Sequence, residues 1–252
     1  MSVEPSRRDI VVIGASTGGF EALKGIVAGL SPDLNASILV VVHVAANSPG
    51  VLPQLLRACG SLPVANATDG EEITPGRIYV APADDHLVVD SGGFVRLSRG
   101  PKENYFRPAI DPLFRSAAVS FGSRVIGVIL TGGLDDGTSG LWAVKQRGGV
   151  AIVQEPEEAV APSMPRNALK HVSVNYCIPL AQIAPLLNEL VETSAVTAQQ
   201  APTREMELEV SVAMGNPPLE SGIMSWGTIS EVTCPECSGI LLHRTDAVTS
   251  TA

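Results

Sequence analysis

The run Gly14-Ala15-Ser16-Thr17-Gly18 lies between an apolar stretch and an amphipathic one. This G-x-S-x-G pattern, set between a strand and a helix, is the context of a nucleophile elbow. Small neighbours let the backbone turn sharply and push the Ser16 hydroxyl beyond the strand end. The start of the following helix offers unpaired N–H groups and a positive field for an oxyanion. Two other readings compete: a phosphate-cradling turn of a dinucleotide site, and a tight turn with no chemical role. Ser16 occupies the place of the middle glycine of G-x-G-x-x-G. No acidic residue ends the second strand, where ribose recognition would put one.

His43 ends it instead, as the first polar residue after Ile38-Leu-Val-Val-Val42. Active sites of parallel sheets gather beyond the carboxyl ends of strands, so Ser16 and His43 are expected on one edge. Asp135 and Asp136 follow a third apolar run, Val125 to Leu130, through Thr131-Gly-Gly133. An acid there can fix an imidazole tautomer and stabilise the imidazolium. It can equally cap a helix, and spacing does not choose between the two aspartates. The order Ser, His, Asp differs from the Ser, Asp/Glu, His order of α/β-hydrolases. That argues for a triad assembled convergently on a doubly wound sheet.

These residues need a scaffold, and the chain supplies one. Strands are expected at Asp9–Gly14, Ile38–His43, Ile78–Ala81, Leu87–Val89, Phe94–Leu97, Val125–Leu130 and Val150–Val153. Gly92-Gly93 suggests that the fourth and fifth of these form a hairpin. Helices are expected after Gly19, over Val51–Cys59 with Leu52, Leu55 and Leu56 inward, from Asp111-Pro112 with Asp as cap, through Leu141 to Val144, and through Ile183 to Val191. Strands alternate with helices, so the fold class is α/β: a doubly wound, mainly parallel sheet with helices on both faces and a small hairpin. Residues 1–8 read as a tail, 9–193 as the catalytic domain and 194–252 as linker and largely irregular C-terminal extension.

Composition narrows the partners. The net charge of −9 disfavours a nucleic-acid partner. The longest apolar runs are too short to span a bilayer, and no signal peptide pattern is present. The expected location is the cytoplasm, without membrane insertion. Cys59 and Cys177 are expected as reduced core residues. Cys234-Pro-Glu-Cys237 has the spacing of half a zinc ribbon, with His243 following. A structural zinc needs four ligands, so Cys234 and Cys237 are weak candidates and no metal is expected in the monomer.

Several blocks together carry a resemblance. Gly14-Ala-Ser-Thr-Gly-Gly19, Val42-His43, Ile78-Tyr-Val-Ala-Pro-Ala-Asp-Asp-His-Leu87, Arg107-Pro-Ala-Ile-Asp111, Ile129-Leu-Thr-Gly132 with Asp136-Gly137, and Met164-Pro165 resemble the catalytic domain of chemotaxis-specific protein-glutamate methylesterases. The resemblance implies Ser16 as nucleophile, His43 as general base and Asp136 rather than Asp135 as the acid. It implies Thr17 and Gly133 backbone N–H groups as the oxyanion hole, where Gly133 replaces the family's loop methionine and widens the cleft. Arg107 is a weaker candidate for meeting a substrate carboxylate. The implied substrate is a methylated glutamate on the cytoplasmic helices of methyl-accepting chemoreceptors, with deamidation of glutamines as a second activity. No cofactor is implied. The family's usual N-terminal receiver domain has no counterpart before Asp9, so control by such a domain in cis is not expected, and control by a separate regulatory protein stays open. An esterase or amidase acting outside chemotaxis, and a non-catalytic binding module, are the alternatives.

Overall fold

A computed structural model describes residues 7–195, 201–216, 227–233 and 240–243. In chain order the elements are β1 (Ile10–Ala15), α1 (Gly19–Gly29), β2 (Ser37–Val42), α2 (Leu52–Arg57), β3 (Val64–Asn66), β4 (Arg77–Val80), β5 (His86–Val89), β6 (Val95–Ser98), α3 (Ile110–Phe121), β7 (Val125–Ile129) and α4 (Thr138–Gln146). They continue with β8 (Val150–Gln154), α5 (Ser163–His171), β9 (Tyr176–Ile178), α6 (Leu180–Leu190), α7 (Arg204–Ala213), β10 (Thr228–Thr233) and β11 (Ile240–His243). A short 3₁₀ turn, Gly122–Arg124, joins α3 to β7.

Seven strands form one sheet in the order β3-β4-β2-β1-β7-β8-β9. Every neighbouring pair in it is parallel. The continuous apolar runs follow from burial on both faces. Val11 and Ile13 of β1 face a core shared with Leu23 and Ile26 of α1 and Ile183 and Leu187 of α6. Val12 faces the other core, with Leu113 and Phe114 of α3, Leu141 of α4 and Met164 of α5. Fully burying each of these large side chains contributes about 1.5–3 kcal/mol. Helices therefore cover both faces, as the apolar runs require. β5 and β6 pair antiparallel as a separate hairpin. A loop from Arg99 to Pro108 then leads from β6 into α3.

The topology reverses at β1: β2 lies on one side and β7 on the other. Ligand sites of open parallel sheets lie at such switch points, beyond the carboxyl ends of the strands. The register puts Ala15 level with Val42, so Ser16 and His43 leave the sheet side by side.

The structure corrects several expectations. Residues 194–222 are not simply linker, because Arg204–Ala213 is helical. Thr203 caps it through Met206 N–H, and Met206, Val210 and Ala213 bury one face. Acidic residues at 205, 207 and 209 alternate with apolar ones and mask the 3.6-residue period. Cys177 is exposed on the edge strand β9 and Cys59 is half-buried, so neither is a core residue, although both are free thiols. Leu55 points to solvent, being 46% exposed. Asp111 lies inside the first turn of α3, after the N-cap Ala109. β3 and β9 are three-residue strands that carry too little pattern to read.

Candidate active site

The site is built from three strand ends. Ser16 follows β1, with its backbone N–H donating to Thr131 O at 3.0 Å. Gly18, the N-cap of α1, has φ 79°, a left-handed backbone that glycine adopts without strain. That turn aims the serine away from the sheet. Gly132 is needed for a different reason. A Cβ there would lie 2.1 Å from Met164 Sδ and 2.9 Å from Ser16 Cβ. Only a bare backbone lets the loop after β7 close against the serine.

His43 Nδ1 lies 3.1 Å from Ser16 Oγ, and His43 Nε2 lies 2.6 Å from Asp136 Oδ2. The ring nitrogens are exchanged relative to the chymotrypsin arrangement, in which Nε2 faces the serine. The hydrogen-bond pattern fits the neutral tautomer with its proton on Nε2, donated to Asp136. Nδ1 is then free to accept from the serine hydroxyl. Phe106 stacks flat on the imidazole, with centroids 3.7 Å apart and planes 6° from parallel.

Asp136 is buried and richly solvated by the protein. Its Oδ2 also accepts Ile110 N–H at 2.7 Å. Its Oδ1 accepts Asn104 Nδ2–H at 2.8 Å, Gly137 N–H at 2.9 Å and Asp111 N–H at 3.2 Å. Ile110 and Asp111 open α3, so Asp136 caps that helix from another loop and sits in its positive field. Burial would raise its pKa. The hydrogen bond and charge of His43, then Ile110 N–H and Asn104, outweigh burial and hold it below the usual carboxylate range. Asp135, its neighbour, is exposed.

A second carboxylate stands beside the first. Asn104 donates to Asp111 Oδ2 at 3.0 Å as well as to Asp136, and Gly140 N–H donates to Asp111 Oδ1 at 2.6 Å. Burial, and next the Asp136 charge, push Asp111 up to about 7, against the pull of Arg115 and Gly140 N–H. Sequence reading missed Asn104, Phe106 and Asp111 as parts of the site. Asn104 and Tyr105 both have left-handed backbones, φ 49° and 70°. Asparagine tolerates this conformation, whereas a bulky residue rarely adopts it. The turn carries the Asn104 amide to Asp136 and lays Phe106 on His43.

Thr17 and Gly133 flank the serine from two loops. Among the described residues, neither backbone N–H donates to a protein acceptor, whereas Gly132 and Leu134 N–H are taken by Ala161 O and Ser163 Oγ. A Cβ on Gly133 would meet nothing within 4 Å, so the loop is open at that point. The cleft in front of Ser16 and His43 encloses about 550 Å³, walled by Lys102, Tyr105, Phe106 and Arg107.

Arg107 lines the cleft, but its donors are committed to Asp84 and to carbonyls of its own loop. Nε and Nη2 donate to Asp84 Oδ1 at 3.1 and 2.8 Å, and Nη1 to the Arg99 and Gly100 carbonyls at 3.1 and 2.8 Å. His86 is fully buried. It donates Nε2–H to Pro101 O at 2.9 Å and accepts Ala109 N–H at Nδ1 at 3.2 Å. Burial holds its pKa below the ordinary value. It ties both ends of the loop as a neutral ring.

Among the described residues no cluster of His, Cys, Asp or Glu could hold a metal. Cys234 and Cys237 lie outside the described residues. No helix among those described is long and apolar enough to cross a membrane.

Comparison with known proteins places the arrangement. Residues 11–187 match the model of the family described as CheB methylesterase. A Leptospira interrogans protein, provisionally named protein-glutamate methylesterase/protein-glutamine glutaminase, is 38% identical over 72% of this chain and 94% of its own length. A protein-glutamate methylesterase/protein-glutamine glutaminase of Caulobacter vibrioides is 38% identical over 71% of this chain, which spans only 53% of that protein. The crystal structure of the Thermotoga maritima CheB methylesterase catalytic domain superposes with TM-score 0.71 at 39% identity, covering 73% of this chain and 98% of that one. The strand order, the switch-point cleft and these matches lead to one conclusion: the chain belongs to the CheB methylesterase family.

Proposed function

We propose that the chain is a cytoplasmic serine hydrolase that removes methyl groups from glutamate esters on the helical cytoplasmic part of chemoreceptors, and deamidates receptor glutamines. The observation that carries this reading is the unbroken line Ser16 Oγ, His43 Nδ1, His43 Nε2, Asp136 Oδ2, with steps of 3.1 and 2.6 Å, opening into a cleft at the switch point. The names of the relatives support the substrate class.

The reaction is acyl transfer in two halves. His43 Nδ1 takes the Ser16 proton as Oγ attacks the ester carbonyl carbon. The backbone N–H groups of Thr17 and Gly133 receive the developing oxyanion, and the field of the α1 N-terminus adds to them. The imidazolium returns its proton to the departing methoxide, and methanol leaves. Water, deprotonated by His43, then hydrolyses the glutamyl–serine ester and frees the carboxylate. Glutamine follows the same course with ammonia as leaving group. Removing one oxyanion donor lowers such rates by about 10²–10³. The chain's own residues suffice for this chemistry, so the proposal includes no cofactor.

The test is methanol release from radiolabelled methylated receptor by wild type, Ser16→Ala and His43→Ala. Release by wild type and loss in both variants supports the reading. Release that persists in Ser16→Ala removes the serine from the mechanism. A folded wild type that releases nothing from receptor or small esters favours a binding module.

A further inference from the structure

The helix α7 lies beyond residues 11–187, the stretch that the family model matches. It packs along α3, and Met206 enters the core beneath the sheet. Two of its contacts reach the loop that carries Asn104 and Phe106. The first runs through Arg115 of α3, whose side chain is 7% exposed. Arg115 Nη2 pairs with Glu103 Oε2 at 2.5 Å, and Arg115 Nε lies 3.4 Å from Glu209 Oε2 of α7. The second is at the start of the loop. A Cβ on Gly100 would lie 3.0 Å from Ala213 O and 3.1 Å from Val212 O, so the end of α7 abuts the backbone there.

We propose that α7 is an intramolecular clamp on the catalytic loop, acting through Glu209 and Arg115 as positioning residues. Arg115 faces two carboxylates: it is hydrogen-bonded to Glu103 on the loop, and its Nε, which makes no hydrogen bond, is in longer ionic contact with Glu209 on α7. Glu103 immediately precedes Asn104, the residue that donates to Asp136. Phe106, two residues further on, stacks on His43. A guanidinium buried to this degree is costly when a partner is removed, unlike an exposed ion pair. Losing Glu209 leaves Arg115 with Glu103 as its remaining salt-bridge partner, so the arginine that holds the loop at Glu103 is itself less firmly anchored. The geometry of Asn104 and Phe106, and through them of His43 and Asp136, then loosens. Neither Arg115 nor Glu209 touches the reacting atoms. Their effect is on the fraction of molecules with an assembled triad, so it falls mainly on kcat, with a smaller effect on substrate affinity through the cleft wall that the same loop supplies.

The inference rests on the hydrolase reading, and its test separates the two. The full chain is compared with Glu209→Gln and Arg115→Gln by fluorophosphonate labelling of Ser16, by ester turnover, and by tryptic nicking at the exposed Lys102. Glu209→Gln is expected to fold, to label about three- to tenfold more slowly, to lose kcat to the same degree with a smaller change in KM, and to be nicked faster. Glu209→Asp, which keeps the charge, is expected to recover part of the labelling rate. Labelling, kcat and nicking of Glu209→Gln all at the wild-type level overturn the clamp while leaving the hydrolase reading intact. Glu209→Gln is the deciding variant: Glu209 is half exposed, so its substitution decides the matter even where the buried arginine variant fails to fold. A wild type that takes no label ends the hydrolase reading. The nicking rates then judge the clamp: faster cleavage in Glu209→Gln supports it, and equal cleavage overturns it.

Discussion

Asp136 Oδ2 accepts the backbone N–H of Ile110 at 2.7 Å, so the carboxylate that faces His43 also closes the first turn of α3. One side chain thus joins the proposed chemistry to the packing of the largest helix on that face. The carboxylate keeps its charge because five donors converge on it in a buried setting. An aspartate dedicated only to a histidine would lack that reserve.

Asp136→Asn therefore has two separable effects. The amide cannot accept on both atoms, so the His43 tautomer is no longer fixed, and turnover is expected to fall on the order of 10⁴-fold. The cap on α3 is weakened as well, with a stability loss of about 0.5–2 kcal/mol. Single-turnover kinetics and urea denaturation measure the two. A variant that loses stability but retains turnover would detach Asp136 from the mechanism.

Phe106 lies flat against His43 and shields one face of the ring. Aromatic pairs of this kind contribute about 0.5–1.5 kcal/mol beyond area burial. Phe106→Ala is expected to lower kcat/KM about two- to tenfold, and Phe106→Tyr to restore most of it. Steady-state kinetics on a small ester checks this. Equal rates for Phe106→Ala and wild type would mean that the stack plays no part in holding the imidazole.

The sequence made part of this legible. Ser16 and His43 each end an apolar run, and the period of those runs is a backbone property that needs no tertiary context. Asp136 stood beside Asp135 and spacing could not separate them, because the distinction is which one faces the N-terminus of α3. Asn104, Phe106 and Asp111 left weaker traces. They act only because a loop of polar residues folds back over His43, and no local periodicity encodes that return. The one local hint is Asn104 itself, an asparagine in a turn that needs a left-handed backbone. In α7 the signal was present as the Thr203 cap but was hidden by alternating acidic residues.

Asp111 gives the fold a distinctive pH response. Its pKa rises from 3.8 in its ordinary setting to about 7 in the fold. The folded state therefore holds a proton that the unfolded chain has released between those values. By linkage, the stability it contributes is fully present below pH 3.8 and is lost as pH rises through about 7. His86 works in the opposite sense: its lowered pKa favours the fold above 6.5 and costs stability as pH falls below it. Asp111→Asn removes the first contribution alone. The stability of wild type relative to Asp111→Asn is expected to decline from pH 4 to pH 7 and level off above about 7. Urea denaturation across that range is the measurement, and a constant difference would show that Asp111 titrates normally.

Gly133 carries the second proposed oxyanion donor, and the geometry there leaves room for a side chain. A Cβ would meet no atom within 4 Å, so Gly133→Met should leave stability within about 0.5 kcal/mol of wild type. The new side chain projects from the residue whose N–H is the proposed oxyanion donor, at the edge of the cleft, where Leu134 is already 54% exposed. It would narrow the space beside the acyl group without removing the donor. The expected result is a higher KM for bulky esters, an unchanged KM for methyl esters, and a fluorophosphonate labelling rate close to that of wild type. A fall in labelling by 10² or more would match the loss of an oxyanion donor instead, and would mean that the side chain disturbs the N–H itself.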